Sequence, residues 1–239
     1  MASHDRPSPL PALAAGPLVL LTGGRLLLHV LLAGRYGYFR DELYFLDCGR
    51  HLDWGYVDHA PMIGLLSRAM LELGASLPLL RITAGAAGAA LVALTMVLAR
   101  ALGGGRFAQT TAGLAVAVLP IHLAISGLFS MNVLEPLLWT GCALVLVEIE
   151  RSGDSRLWLV FGLLAGIGLE TKHSMLFFGA AVAVAVLLTP LRRELARPWI
   201  WIGGALALLL FLPNLLWQVQ HGLPTLEDLR NVRESGKNV

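Results

Sequence analysis

Charge is scarce in this chain. Of its 239 residues, 14% are Asp, Glu, Lys or Arg, where a soluble domain carries about 25%. Mean hydropathy is +0.69. Long uncharged runs accompany the deficit, so the composition argues against a soluble domain and for a membrane protein. A formal net charge of +2 is too small to mark a nucleic-acid binder. Cysteine is nearly absent: Cys48 and Cys142 alone make no disulfide framework. Cys142 sits in an apolar run and reads as packing, whereas Cys48 lies in a polar segment where a reactive role stays open. No HExxH and no CxxC pair occurs, so no strong metal motif is present. Solenoid repeats and low-complexity linkers are missing too. The N-terminal apolar run lacks a small-x-small cleavage pattern and is interrupted by Arg25 and His29, so it reads as an uncleaved first span.

What the sequence does have is hydrophobic runs long enough to cross a bilayer. They cover 13–34, 82–102, 107–129, 133–149, 157–169, 174–191 and 199–217. Runs of this length suit helices, not barrel strands. The fold class expected is therefore all-α integral membrane: a multi-pass helical bundle with about seven transmembrane helices and an outer interfacial helical loop. The fifth run is short and glycine-rich. "AGAAGAA" and "GLLAGIG" suit close helix–helix contact. Arg25 and His29, four apart, share one helix face, which should point to other helices or a polar cavity. His122, within the third run, reads as a helix–helix hydrogen-bond partner.

The loops set the orientation. With the N-terminus cytoplasmic, the inner loops carry Arg100 and Arg106, then Arg151 and Arg156, then Arg192, Arg193 and Arg197. The short outer loops "FSMN" and "ETKHS" hold one Lys and no Arg. This is the positive-inside pattern. The expectation is a cell-membrane protein with residues 35–80 as its extracytoplasmic first loop, in a single transmembrane domain spanning 1–239. Asp41, Glu42, Asp53, Asp58, His59, Asn132, Glu135, Glu170, Lys172, Gln218 and His221 then fall on that same outer side. Ionisable groups at span mouths are costly unless they pair or line a wet cavity, so their gathering marks a site.

Each of these residues also has a structural reading. Asp41 and Glu42 suit the first turn of a helix as well as a general base. Asn132 and Glu135 have capping-box spacing. Asp53, Asp58 and His59 could ligate a metal, but Asp58 and His59 are adjacent and need not face one centre. Lys172, confined between two apolar runs, suits a lipid phosphate.

"YFRDELYFLDCGRHLDWGYVDHAPM", "FSMNVLEPLLW", "GLLAGIGLETKHSMLFFG" and "LPNLLWQVQHGLPTL" together resemble the GT-C glycosyltransferases. More closely they resemble glycosyltransferase family 39, the protein O-mannosyltransferase and aminoarabinose-transferase group. The resemblance implies inverting transfer of a sugar from a polyprenyl-phosphate donor on the extracytoplasmic face. The acceptor would be a protein, a lipid or a glycan. Asp41 matches the first-loop acid proposed as base, with Glu42 its partner, and Lys172 matches a basic position near the donor phosphate. Asn132, Glu135, His59 and His221 are expected around the substrates. Asn132 stands where relatives often have Asp, so either Glu135 takes its role or the site is altered. No cofactor follows from the residues; a divalent metal ion is left open. Relatives continue with further spans, so the chain is read as such an enzyme or as its N-terminal catalytic part. The rival readings are a flippase of lipid-linked sugars and a non-catalytic membrane subunit.

Overall fold

A computed structural model describes residues 9–235. All its regular elements are helical. Helix α1 covers Ala15–Leu32. A polar segment follows with two short helices, α2 (Arg40–Arg50) and α3 (Met62–Glu72). Then come α4 (Leu77–Ala101), α5 (Arg106–Val118), α6 (Pro120–Ser126) and α7 (Met131–Ser152). The chain continues through α8 (Leu157–Thr171), α9 (Met175–Leu188), a 3-10 turn (Pro190–Ala196), α10 (Pro198–Gln220) and α11 (Pro224–Glu234).

Four helices, α1, α4, α7 and α10, are long and apolar enough to cross a membrane alone, and six spans result if each bent pair, α5–α6 and α9 with its 3-10 turn, counts as one. The fifth expected span, α8, has 15 residues and is therefore only about 22 Å long. Val19, Leu20, Leu31, Leu208 and Leu209 are each more than 60% exposed, an apolar exterior that suits lipid and not water.

Polar contacts separate the bundle into two ends. At one, Arg100 donates to the Pro11 carbonyl, Arg193 pairs with Glu150 and Arg197 binds Ser155. At the other lie the α2–α3 segment, the start of α4, the α6–α7 junction, the α8–α9 turn and the end of α10, joined by contacts described below. The segment between α1 and α4 is thus a helical loop, as expected. Its boundary differs: α4 begins five residues before residue 82, because Ser76 caps it and Pro78 fits its first turn. The loop helices pack Phe45, Leu46 and Ile63 against Leu80 and Phe129 of the bundle. Helix α11 was not expected; its apolar residues are few, and none of its residues is buried.

The third expected span is broken. Pro120 has no N–H and holds Leu119 extended, so α5 and α6 meet at a 60° bend. Arg25 of α1 repairs the break. Its guanidinium donates to the carbonyls of Ala117 (2.6 Å) and His122 (2.5 Å) and to the Ser126 hydroxyl (3.1 Å). Arg25 and His29 are both buried in the bundle, on one face as their spacing requires. For His122 the backbone carbonyl makes the inter-helix bond, while the ring nitrogen Nδ1 has no partner.

Glycines set the closest approach. A Cβ on Gly162 of α8 would overlap the carbonyl oxygen of Gly203 on α10, and one on Gly203 would overlap the carbonyl of Trp158. Gly85 and Gly88 of α4 make room in the same way for His29 and Ser126. Backbones meeting this closely gain dispersion that larger side chains would forfeit. Gly162→Val should therefore lower the thermal unfolding midpoint in detergent, by a loss on the order of 2 kcal/mol. Gly179→Val, where a Cβ meets open space, should leave the midpoint nearly unchanged.

Candidate functional site

The site is built outward from Glu42. Asp41 and Glu42 occupy the first turn of α2, where acidic groups meet the positive end of the helix dipole. Glu42 folds back to accept from the Phe39 N–H (2.8 Å). Its other contacts are long-range: Arg81 Nε and Nη2 at 3.3 and 3.2 Å, and the Phe129 N–H at 3.2 Å. Arg81 spends its remaining donors on the carbonyls of Tyr36 (3.1 Å) and Gly37 (2.7 Å). Glu42 is 0% exposed, yet with Asp41 it borders one small hollow. Glu42 thus holds the loop in place beside Asp41. Asp41 points outward, its side chain 44% exposed, paired with the still more exposed Arg40 at 3.1 Å. It lines a hollow of about 140 Å³ together with Phe39, Ser130 and Asn132.

Asn132 connects this hollow to the next charge. Ser130 is the N-cap residue of α7 and makes no side-chain cap, so Asn132 and Glu135 form no capping box. Asn132 instead accepts from Lys172 Nζ through Oδ1 at 3.1 Å. Lys172 also pairs with Glu135 Oε2 at 3.0 Å, and the Ser174 hydroxyl donates to Glu135 Oε1. Lys172 terminates α8, where a cation meets the negative end of the dipole. The pair is half-open, with side-chain exposures of 37% for Lys172 and 20% for Glu135. Asn132, Glu135 and Lys172, from α7 and the α8–α9 turn, are thus joined by hydrogen bonds, and Asp41 of α2 borders the same hollow as Asn132.

Other expected site residues fall elsewhere. His59 is buried among Tyr44, Phe45 and Tyr56, with ring centroids 4.7–5.5 Å away. Its Nδ1 lies 2.8 Å from the Ala60 carbonyl. With a side-chain exposure of 0% it braces the loop and reaches no open cavity. His221 is exposed at the end of α10, stacked on Trp217 at 4.3 Å, beside a second hollow lined by Asp53 and Trp54. It is thus on different ground from Lys172. Asp58 accepts from the Tyr44 hydroxyl at 2.7 Å, and Asp53 from the Trp54 N–H at 2.7 Å. Among the described residues no three His, Cys, Asp or Glu side chains gather to hold a metal ion.

Two organising residues were not singled out from sequence. Arg81 looked like the end of a loop, yet a lone arginine opening an apolar run is itself a signal. Asn214, in "LPNLL", is 0% exposed. It joins His173 (Nε2 to Oδ1, 2.9 Å) to the Trp54 carbonyl (2.8 Å), docking the loop onto α10.

A profile of the dolichyl-phosphate-mannose-protein mannosyltransferase family matches residues 58–217. The chain belongs to this family. The matched region contains Asn132, Glu135 and Lys172; Asp41 and Glu42 precede it. Among curated proteins, the chain is 30% identical over 207 residues to the lipid A galacturonosyltransferase RgtD of Rhizobium johnstonii, covering 84% of this chain and 43% of that relative. It thus spans less than half the relative's length. No solved structure matches. Family and apolar helices together make this a multi-pass membrane protein of the GT-C type.

Burial in the loop also fixes protonation. It pushes the Cys48 thiol up to about 11, with the Asp58 and Asp47 carboxylates adding to the effect. Cys48 is thereby an unreactive, protonated packing residue. Burial holds the Tyr44 phenol well above its usual range, helped by the bond to Asp58, and depresses His59 below the usual histidine value. The signs differ. An unfolded His59 binds protons near pH 6.5 while the folded one stays neutral, so stability falls as pH drops below about 6.5. A folded Cys48 keeps its proton when an unfolded thiol loses it, so stability falls as pH rises from about 9 toward about 11. Unfolding midpoints across pH should show both limbs. Cys48→Ser should make the alkaline limb shallower, and His59→Phe the acid limb.

Proposed function

We propose that the protein is a membrane glycosyltransferase that moves a sugar from a polyprenyl-phosphate donor to a hydroxyl or amine, with Asp41 as general base. The convergence of Asp41, Asn132, Glu135 and Lys172 at one end of the bundle carries this reading. In the reaction, Asp41 takes the acceptor proton as the acceptor oxygen or nitrogen bonds to the anomeric carbon. The bond from that carbon to the phosphate oxygen breaks on the opposite side, inverting the centre. Its electron pair goes to the phosphate, whose charge Lys172 meets. Lys172 must loosen its hold on Glu135 to do so. Arginines concentrated at the other end support a cytoplasmic N-terminus and an extracytoplasmic site, within one transmembrane unit whose first loop is 35–80. A flippase would carry its polar groups near the bilayer midplane; here they sit at a helix-end surface.

Transfer from a labelled polyprenyl-phosphate sugar, with membrane lipid as acceptor, tests the assignment. Asp41→Asn should cost about 10²–10⁴-fold in turnover with the unfolding midpoint retained. Full turnover in that variant would remove Asp41 as base. Lys172→Ala should raise the donor KM more than it lowers kcat if the phosphate contact is already made in the ground state.

A further inference from the structure

Glu170 has no role in the chemistry above, and it is the most anomalous carboxylate in the described structure. It is 8% exposed, and neither carboxylate oxygen has a hydrogen-bond partner. A buried carboxyl without a donor is costly, so such groups point to a partner that arrives from outside. Glu170 also lines a cavity of about 630 Å³ beneath the α2–α3 loop. The walls are apolar: Leu52, Trp54, Met62, Leu65, Ile167 and Leu210. Asp53 at the loop is the other acid, and no Lys, Arg or His is among the lining residues.

We propose that this cavity holds the apolar part of the acceptor, an amphiphile whose hydroxyl or ammonium group donates to Glu170. The assignment rests on the transferase reading above and deepens it. The volume lies in the range of small-molecule sites, which combine apolar walls with a few polar groups that fix orientation. A phosphate head would meet two carboxylates and no cation. The turn "ETKH" divides the two chemistries: Glu170 faces the cavity wall, whereas Lys172 turns to Asn132 and Glu135 on α7. Asn214 of α10, itself bonded to His173, holds the Trp54 carbonyl at the cavity. The lipid phosphate and the acceptor body are thus received on opposite sides of one four-residue turn.

Three chain-matched probes test this: 12-bromododecylamine, 12-bromododecanol and 12-bromododecyl phosphate, titrated into the full chain in dodecyl maltoside micelles. The readout is quenching of Trp54, taken as the difference between the wild type and Trp54→Phe. The amine and the alcohol should half-saturate at a mole fraction about 10-fold lower than the phosphate. Glu170→Leu should bring all three within about threefold. The near-isosteric Glu170→Gln should keep the alcohol and lose the amine's advantage, and it decides the matter if the leucine variant does not fold. Lys172→Ala should leave the order of the probes unchanged. Phosphate binding as tightly as the alcohol, or an order that survives both Glu170 variants, overturns the proposal. Either result leaves the Asp41 transfer assay untouched, so the two readings fail separately.

Discussion

The buried pair between Glu42 and Arg81 is the interaction on which the functional end of this protein depends. It ties the first turn of α2 to the second turn of α4, and through the Phe129 N–H to the chain entering α7. Removing one partner from a buried pair leaves a charge stranded in low dielectric, which costs far more than an exposed pair contributes. The value of the pair here is geometric. On a helix, consecutive side chains diverge by about 100°. Burying Glu42 therefore turns Asp41 out into the hollow beside Asn132. The acid proposed to react is aimed by the neighbour that anchors the loop.

A second organising element is the turn from Glu170 to Ser174. Its side chains radiate to different helices: Lys172 and Ser174 to α7, His173 to α10. A short turn can do this only because α8 is fixed on both sides. Gly162 lets it press against α10, and α7 packs along its other face. Glycine packing within the bundle thus determines where the polar groups stand at its end.

Sequence periodicity and loop charge made much of this legible. Runs of apolar residues located the helices, because a bilayer demands a minimum length. The polar mouths drew attention to the end where Asn132, Glu135 and Lys172 meet, because ionisable groups are costly at span ends unless they pair. Internal breaks and partners were less visible. The bend at Pro120 lay in a run whose hydropathy is continuous across it, and hydropathy does not register a missing N–H. Glu42 and Asp41 look equivalent as adjacent acids, and only the distant Arg81 separates their roles. His59 looked like a ligand by type, yet aromatic residues from α2 and from the link between α2 and α3 fold over it. Asn214 was hidden by its apolar neighbours, because its partners lie 41 and 160 residues away.

Helix α8 spans about 22 Å, some 8 Å less than a typical hydrocarbon core. A bilayer meeting so short a wall must thin beside it or admit polar groups below its usual surface. Either way, headgroups next to α8 are drawn down to the level of Lys172. The carrier lipid proposed as donor would then meet this cation without being lifted out of its leaflet, with the membrane's own shape as its entrance ramp.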